Sequence, residues 1–146
     1  MERVAAREAL YQVLEQHLRN YSPVWGERIT PKMIATAKLT KPRLMFFALP
    51  GVNADPTPVR KAHRFTVTVK LVADDMATAL VGQADISRAL ANSGTQNVDP
   101  RLPAHADWHV LTVNEDREVY LEDPFAGAVT SYHAGHQYVV LMERRA

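Results

Sequence analysis

Residues 63–73, HRFTVTVKLVA, followed at once by the segment from Asp74 to Gly94, DDMATALVGQADISRALANSG, constrain this chain more than any other stretch. In the first part Phe65, Val67, Val69 and Leu71 alternate with Arg64, Thr66, Thr68 and Lys70. A period of two, built from β-branched residues, is the pattern of a strand with one buried and one half-exposed face. The period then changes to that of a helix. Asp74 and Asp75 stand where a carboxylate would meet the first free backbone N–H groups. Met76, Ala77, Leu80, Val81, Ala84 and Ala89 or Leu90 are expected to face a sheet, and Gly94 to end the helix. A strand that runs into a helix through two aspartates leaves the helix lying back over the sheet it came from.

The neighbouring segments extend that unit. At the N-terminus, Ala6, Leu10, Val13, Leu14, His17 and Leu18 recur at steps of three and four, with Arg7, Glu8, Gln12, Glu15 and Arg19 mainly elsewhere around the axis. This predicts an amphipathic helix that stops before NYSPVWG, with Asn20, Ser22, Pro23 and Gly26 as breakers. Residues 28–30 read as a short extended piece cut by Pro31, and MIATAKL fits either a helical turn or an extended edge. RLMFFAL, between Pro42 and Pro50-Gly51, has the length of a buried strand. GVNADPTPVRKA then reads as a loop, so RLMFFAL and HRFTVTVKLVA form a long β-hairpin. Further on, DWHVLTVN and REVYLED read as two short strands around a polar NED turn, and TSYHAGHQYVVLME as the last strand. The expectation is one domain over residues 1–146 of α+β class, a mostly antiparallel sheet with a long hairpin and two helices packed on one face.

Composition narrows the function classes. Seventeen basic residues against sixteen acidic leave a net charge of +1, without the basic excess of a dedicated nucleic-acid binder. Arg60, Lys61 and Arg64 form one small basic cluster and Arg144-Arg145 another, with no basic helix or stacking aromatics beside them. No cysteine is present, which removes thiolate chemistry and fits folding in a reducing compartment. No apolar run approaches the ~20 residues of a membrane span, and the charged N-terminus is unlike a signal peptide. No membrane partner is expected.

Six histidines raise the question of a metal. His133 and His136 lie an odd step apart, so on a strand they point to opposite faces. Gly135 between them signals a bulge or a close approach of backbone. His105 and His109 have helical spacing in surroundings that read as loop running into strand, and HExxH is absent. No serine sits in a G-x-S-x-G elbow, no phosphate-binding glycine motif occurs, and the acidic pairs Asp74-Asp75, Glu115-Asp116 and Glu122-Asp123 adjoin helix starts or turns. No metal, cofactor or catalytic residue is expected; a small metal-dependent or hydrolytic enzyme is the distant alternative.

The whole order of segments resembles the tail terminator (tail completion) proteins of long-tailed bacteriophages. The likeness rests on the opening helix AAREALYQVLEQHL, on PRLMFFALPGV leading through a loop into HRFTVTVKLVADDMATALVGQADISRAL, and on the closing YLEDPFAGAVTSYHAGHQYVVLMER with Tyr138, Val139 and Val140. It implies a structural virion protein, not an enzyme: a homo-hexameric ring in the neck region of the tail, assembled in the host cytoplasm. The ring would cap the tail tube, stop its polymerisation and meet the head-completion or neck connector protein, with DNA passing through its lumen unread. A head-closure or neck adaptor ring is the nearest alternative. For partner contacts the expected residues are Asn53, Asp55, Arg60 and Lys61 in the long loop and Arg117 at the NED turn.

Overall fold

The computed structural model describes residues 2–19, 21, 24–31, 40–53, 62–90, 102–124 and 130–145. Its elements are α1 (Glu2–Arg19), β1 (Ile29–Thr30), β2 (Arg43–Asn53), β3 (Ala62–Ala73), α2 (Met76–Leu90), β4 (Trp108–Asp123) and β5 (Ser131–Arg144). The strands form one sheet in the order β1-β2-β3-β5-β4. All pairings are antiparallel except the two-residue β1, which runs parallel to β2 at Leu44 and Met45. This is the expected α+β class with the expected hairpin, β2–β3.

Both helices cover the face that carries Phe65, Val67, Val69 and Leu71. α1 buries Ala6, Ala9, Leu10, Val13, Leu14 and Leu18 in the same core as Leu44, Phe46, Ile86, Leu90, Tyr138 and Met142. Each such leucine or valine removed from water contributes about 1.5–3 kcal/mol. α1 ends where the sequence says it must, and two residues of the segment that follows cap it. The buried Trp25 indole N–H donates to the Leu18 carbonyl at 2.6 Å, and Tyr21 N–H donates to the same oxygen at 3.2 Å. A last-turn carbonyl without a helical partner is thereby satisfied inside the core. Gly26, at φ +55°, makes the turn that returns the chain to β1.

α2 begins as expected: Asp75 accepts from Thr78 N–H and from Thr78 Oγ1, each at 2.8 Å. Those hydrogen bonds, the backbone one first, hold its carboxyl below the usual carboxylate range. Its phase is not as expected. The buried residues are Ala79, Gly82, Ile86, Ala89 and Leu90, whereas Met76, Ala77, Leu80, Val81 and Ala84 are exposed. The reason lies in Gly82. A Cβ there would sit 2.2 Å from Leu71 Cδ2, so the helix approaches the sheet on its small-residue stripe and turns the larger apolar side chains outward.

Two strand readings are also corrected. DWHVLTVN and REVYLED are not two strands around a turn but one sixteen-residue strand, β4, running through the NED segment. Register irregularities at Val110/Thr112 and Glu115/Arg117 absorb the misfit, because an extra residue lets the strand bend without ending. The polar face of β3 is half-exposed only at its start. Arg64 is exposed, but Thr68, Lys70 and Val72 are buried, as is Met45 opposite Lys70. MIATAKL lies outside the described residues.

β5 runs between β3 and β4, with an unbroken register to β3 from Ala62↔Glu143 to Ala73↔Tyr132. Gly135 is therefore a close approach and not a bulge: a Cβ at this position would lie 1.9 Å from the Val69 carbonyl oxygen and 2.5 Å from Lys70 Cα. Those neighbours are backbone and cannot swing aside. Gly135→Ala is expected to lower stability by roughly 1–3 kcal/mol, in the range of core overpacking, read as a lower urea midpoint at unchanged m-value. An unchanged midpoint would show that the two strands separate there at no cost.

Candidate interaction surfaces

The histidines settle first. His133 and His136 pair with Val72 and Val69 of β3 and so point to opposite faces of β5, as the odd spacing requires. His136 lies on the helix face, with Nδ1 3.4 Å from Glu115 Oε1 and its ring 6.1 Å from that of Tyr138. His105 Nε2–H donates to Gln12 Oε1 at 3.1 Å, while Trp108 already begins β4, so His105 and His109 do not converge. Among the described residues no group of three His, Asp or Glu side chains is placed to hold a metal ion.

The Glu115 carboxylate gathers several polar groups. Its Oε1 accepts from Ser87 Oγ at 3.0 Å and from the Tyr138 hydroxyl at 3.3 Å, and that hydroxyl also lies 3.4 Å from the Ile86 carbonyl. Burial first, then Glu115, pushes the Tyr138 phenol above its ordinary value, so it stays a protonated donor. A serine, a histidine and a carboxylate thus share one neighbourhood, but in the wrong order for nucleophilic catalysis. Ser87 and His136 both approach the carboxylate, whereas an activated serine must donate to the imidazole. The arrangement ties α2 to β4 and β5.

A second polar group sits on the opposite face of the sheet. Lys70 is buried, and desolvation lowers its pKa while Asp123 opposes the shift. His133 stands one diagonal step away on β5; neither of its ring nitrogens has a hydrogen-bond partner. Lys41 Nζ donates to Ser131 Oγ at 2.5 Å and pairs with Asp74 Oδ1 at 3.2 Å. Burial above all, then Lys70 and Lys41 against a counteracting Asp123, lowers the His133 pKa to about 4. The imidazole is neutral at pH 7, which is why it tolerates two lysines.

The expected contact residues divide between distant places. Asn53 closes β2, its backbone paired with His63 past an irregularity after Pro50. Asp55, Arg60 and Lys61 lie outside the described residues. Arg117 is not on a turn: it is exposed in mid-β4, just past the second irregularity, with Nε 3.6 Å from Asp116 Oδ2. Through the register, Asn53 aligns with Met142 of β5 and Arg117 with Gln137. At ~3.3 Å per residue along the strands and ~4.8 Å between them, the two positions are about 20 Å apart. The structure therefore does not bring Arg117 to the hairpin end.

β4 itself is a surface that the pattern of short strands had hidden. It is an edge strand, and between residues 115 and 123 it carries five carboxylates against one guanidinium. Glu115, Asp116, Glu118, Tyr120, Leu121 and Glu122 are all exposed. α2, which exposes an arc of Met76, Leu80 and Val81, is tied to β5 and β4 through Gln83, whose amide donates to the carbonyls of Gly135 and Val119 at 3.0 and 3.4 Å. The position of Gly82 was the available signal for that arc, since a helical glycine facing a sheet fixes the phase of everything else.

Folding with neutral His133 implies a pH dependence whose sign follows from linkage. A folded-state pKa of about 4 lies below the ordinary histidine value of 6.5, so between them the unfolded chain binds more protons and stability falls with acidification. The stabilisation is full above pH 6.5 and is lost on going down towards pH 4, by on the order of 2–3 kcal/mol for a shift of this size. In urea titrations between pH 7 and 5, before most carboxylates protonate, the wild-type midpoint should fall and that of His133→Leu should stay nearly level. Parallel slopes in the two proteins would show that His133 is not the titrating group.

No family model and no curated protein matches the sequence. Among solved structures, the chain is similar to one in a structure described as the virion of a native gene transfer agent (GTA) particle, at a TM-score of 0.59 and 18% identity over 96% of each chain. At that identity the likeness is one of fold, and it runs the full length of both chains.

Proposed function

We propose that this chain is a structural virion protein that works as a tail terminator, forming a hexameric ring that caps the tail tube, stops its polymerisation and presents a face to the head–neck connector. The observation that carries the reading is the full-length likeness of fold to a chain of a gene transfer agent virion, joined to the order of elements that the sequence shares with terminators. The surfaces fit such work. A long edge strand, a hairpin and an outward apolar helix face are features of a protein that acts by contact. In a closed ring each subunit meets the next through two different patches, and the ring stops where the rotation returns to its start. DNA in the lumen would meet it through sequence-independent electrostatics alone. A head-closure or neck adaptor ring shares the same surfaces. Gene order separates the two, since a terminator gene is expected next to and upstream of the tube protein gene.

The untagged protein, alone or with tail-tube protein, should give a six-subunit mass in light scattering and rings in negative stain. Removing residues 53–58 should leave the protein folded but yield tails of irregular length. A monodisperse monomer that neither caps tubes nor co-purifies with tail protein would reject the terminator reading; normal, uniform tails from the deletion would reject the loop's part in it.

A further inference from the structure

Lys70 and His133 share one face of the sheet on adjoining strands. The register pairs Lys70 with Gly135 and Val72 with His133, so the two side chains are diagonal neighbours. Such neighbours stand about 7–8 Å apart, within reach of a common partner. Ser131 lies on the same face, two residues before His133 and opposite Asp123 of β4. Lys41 reaches this end of the sheet as well, where its ammonium donates to Ser131 Oγ and pairs with Asp74.

Burial makes the grouping costly. Lys70, Ser131 and His133 are 8%, 0% and 4% exposed, and both ring nitrogens of His133 lack a hydrogen-bond partner. A buried polar group left so calls for a water or an ion. The nearby carboxylates do not meet the need. Asp74 is held by Lys41 at 3.2 Å, and burial lowers the pKa of Lys70 and of His133 more than Asp123 raises either. Arg43 of β2 is on this face too, but its guanidinium is held by Thr30 Oγ1 and the Thr40 carbonyl at 3.0 and 3.2 Å. The surface is close: Asp74 is 61% exposed, and so is half of Leu121, which pairs with His133 from β4. A free ion can enter from that rim, whereas the backbone of a polymer cannot follow it in.

We infer that Lys70, His133 and Ser131 form a binding site for a small tetrahedral oxyanion of phosphate or sulfate size. Lys70 supplies the charge. The neutral imidazole has one N–H to donate, and Ser131, whose oxygen accepts from Lys41, keeps its own hydrogen for the same use. Donors from two strands need several acceptor oxygens at once, which favours an oxyanion over chloride. The inference rests on the fold and is independent of the ring.

Phosphate stabilises any folded chain by exclusion from its surface, so the test is a difference between proteins. At pH 7 and constant ionic strength, the urea midpoint is followed as phosphate replaces chloride, with phosphorus NMR line broadening as a direct readout of binding. The wild-type midpoint should rise and saturate. Lys70→Met and His133→Leu should keep only the unsaturable part and bind phosphate at least about tenfold more weakly, as for loss of one hydrogen bond to a charged group. Each removes a costly buried polar group, so both should fold, and line broadening reads the site even where a midpoint shifts. Arg117→Gln, which removes an exposed cation of the same face, should behave as wild type. Equal responses in all four proteins would mean exclusion alone. A loss in Arg117→Gln as large as in Lys70→Met would mean diffuse screening, and either result overturns the site. Acetate that binds as well as phosphate overturns the tetrahedral class.

Discussion

The antiparallel pairing of β3 with β5 is the contact on which everything else is hung. It holds an unbroken register for twelve residues at the centre of the sheet, and neither strand lies at an edge. Gly135 lets the two backbones close on each other at Val69 and Lys70, where a side chain would wedge them apart. Fixed register means fixed sides: a slip of one residue would exchange every inward and outward side chain. Phe65, Val67, Val69 and Leu71 meet Val140, Tyr138, His136 and Ala134 on the helix face, and the helices dock on that apolar strip.

The opposite side of the same pairing explains an otherwise expensive arrangement. Lys70 and His133 are forced onto the second face by the parity that puts Val69 and Leu71 on the helix face. Two lysines and an imidazole in one buried neighbourhood are compatible only if the imidazole gives up its proton, and Lys41 is relieved by Ser131 and Asp74. Neutral His133 is thus a consequence of register, with no catalytic demand needed to account for it. The Glu115 neighbourhood obeys a similar logic, for its groups converge on the carboxylate because α2 must be tied to β4 across the face they share.

What the sequence made legible was whatever depends on local periodicity. The hairpin, the amphipathic α1, the Asp75 cap and the opposed histidines all follow from spacing within about ten residues. What it concealed depends on pairing. NED looked like a turn because Asn, Glu and Asp disfavour strands, yet a partner strand on one side and a register irregularity at Glu115/Arg117 carry β4 straight through. α2 misled in a different way. It is apolar on nearly every side, so periodicity could not choose a face, and the choice fell to the small stripe of Ala79, Gly82 and Ala89 that fits against Leu71. The expected contact set divided for the same reason: residues 53 and 117 were read as loop and turn positions, and only the strand order β2-β3-β5-β4 puts them three strands apart.

These corrections have a common direction. Met76, Leu80 and Val81 are released from the core to the exposed side of α2, and Glu115 and Asp116 stand on an edge strand instead of a turn. Leu80 and Val81 stay 42% and 54% accessible although burying either is worth about 1.5–3 kcal/mol, so the close fit of Gly82 on Leu71 outweighs that gain. The acidic residues of β4 answer the hazard that an edge strand creates, because charge is a standard means of preventing uncontrolled strand pairing. Like charges set opposite one another destabilise a strand pair, so the carboxylates of β4 oppose its pairing with the same segment of another copy.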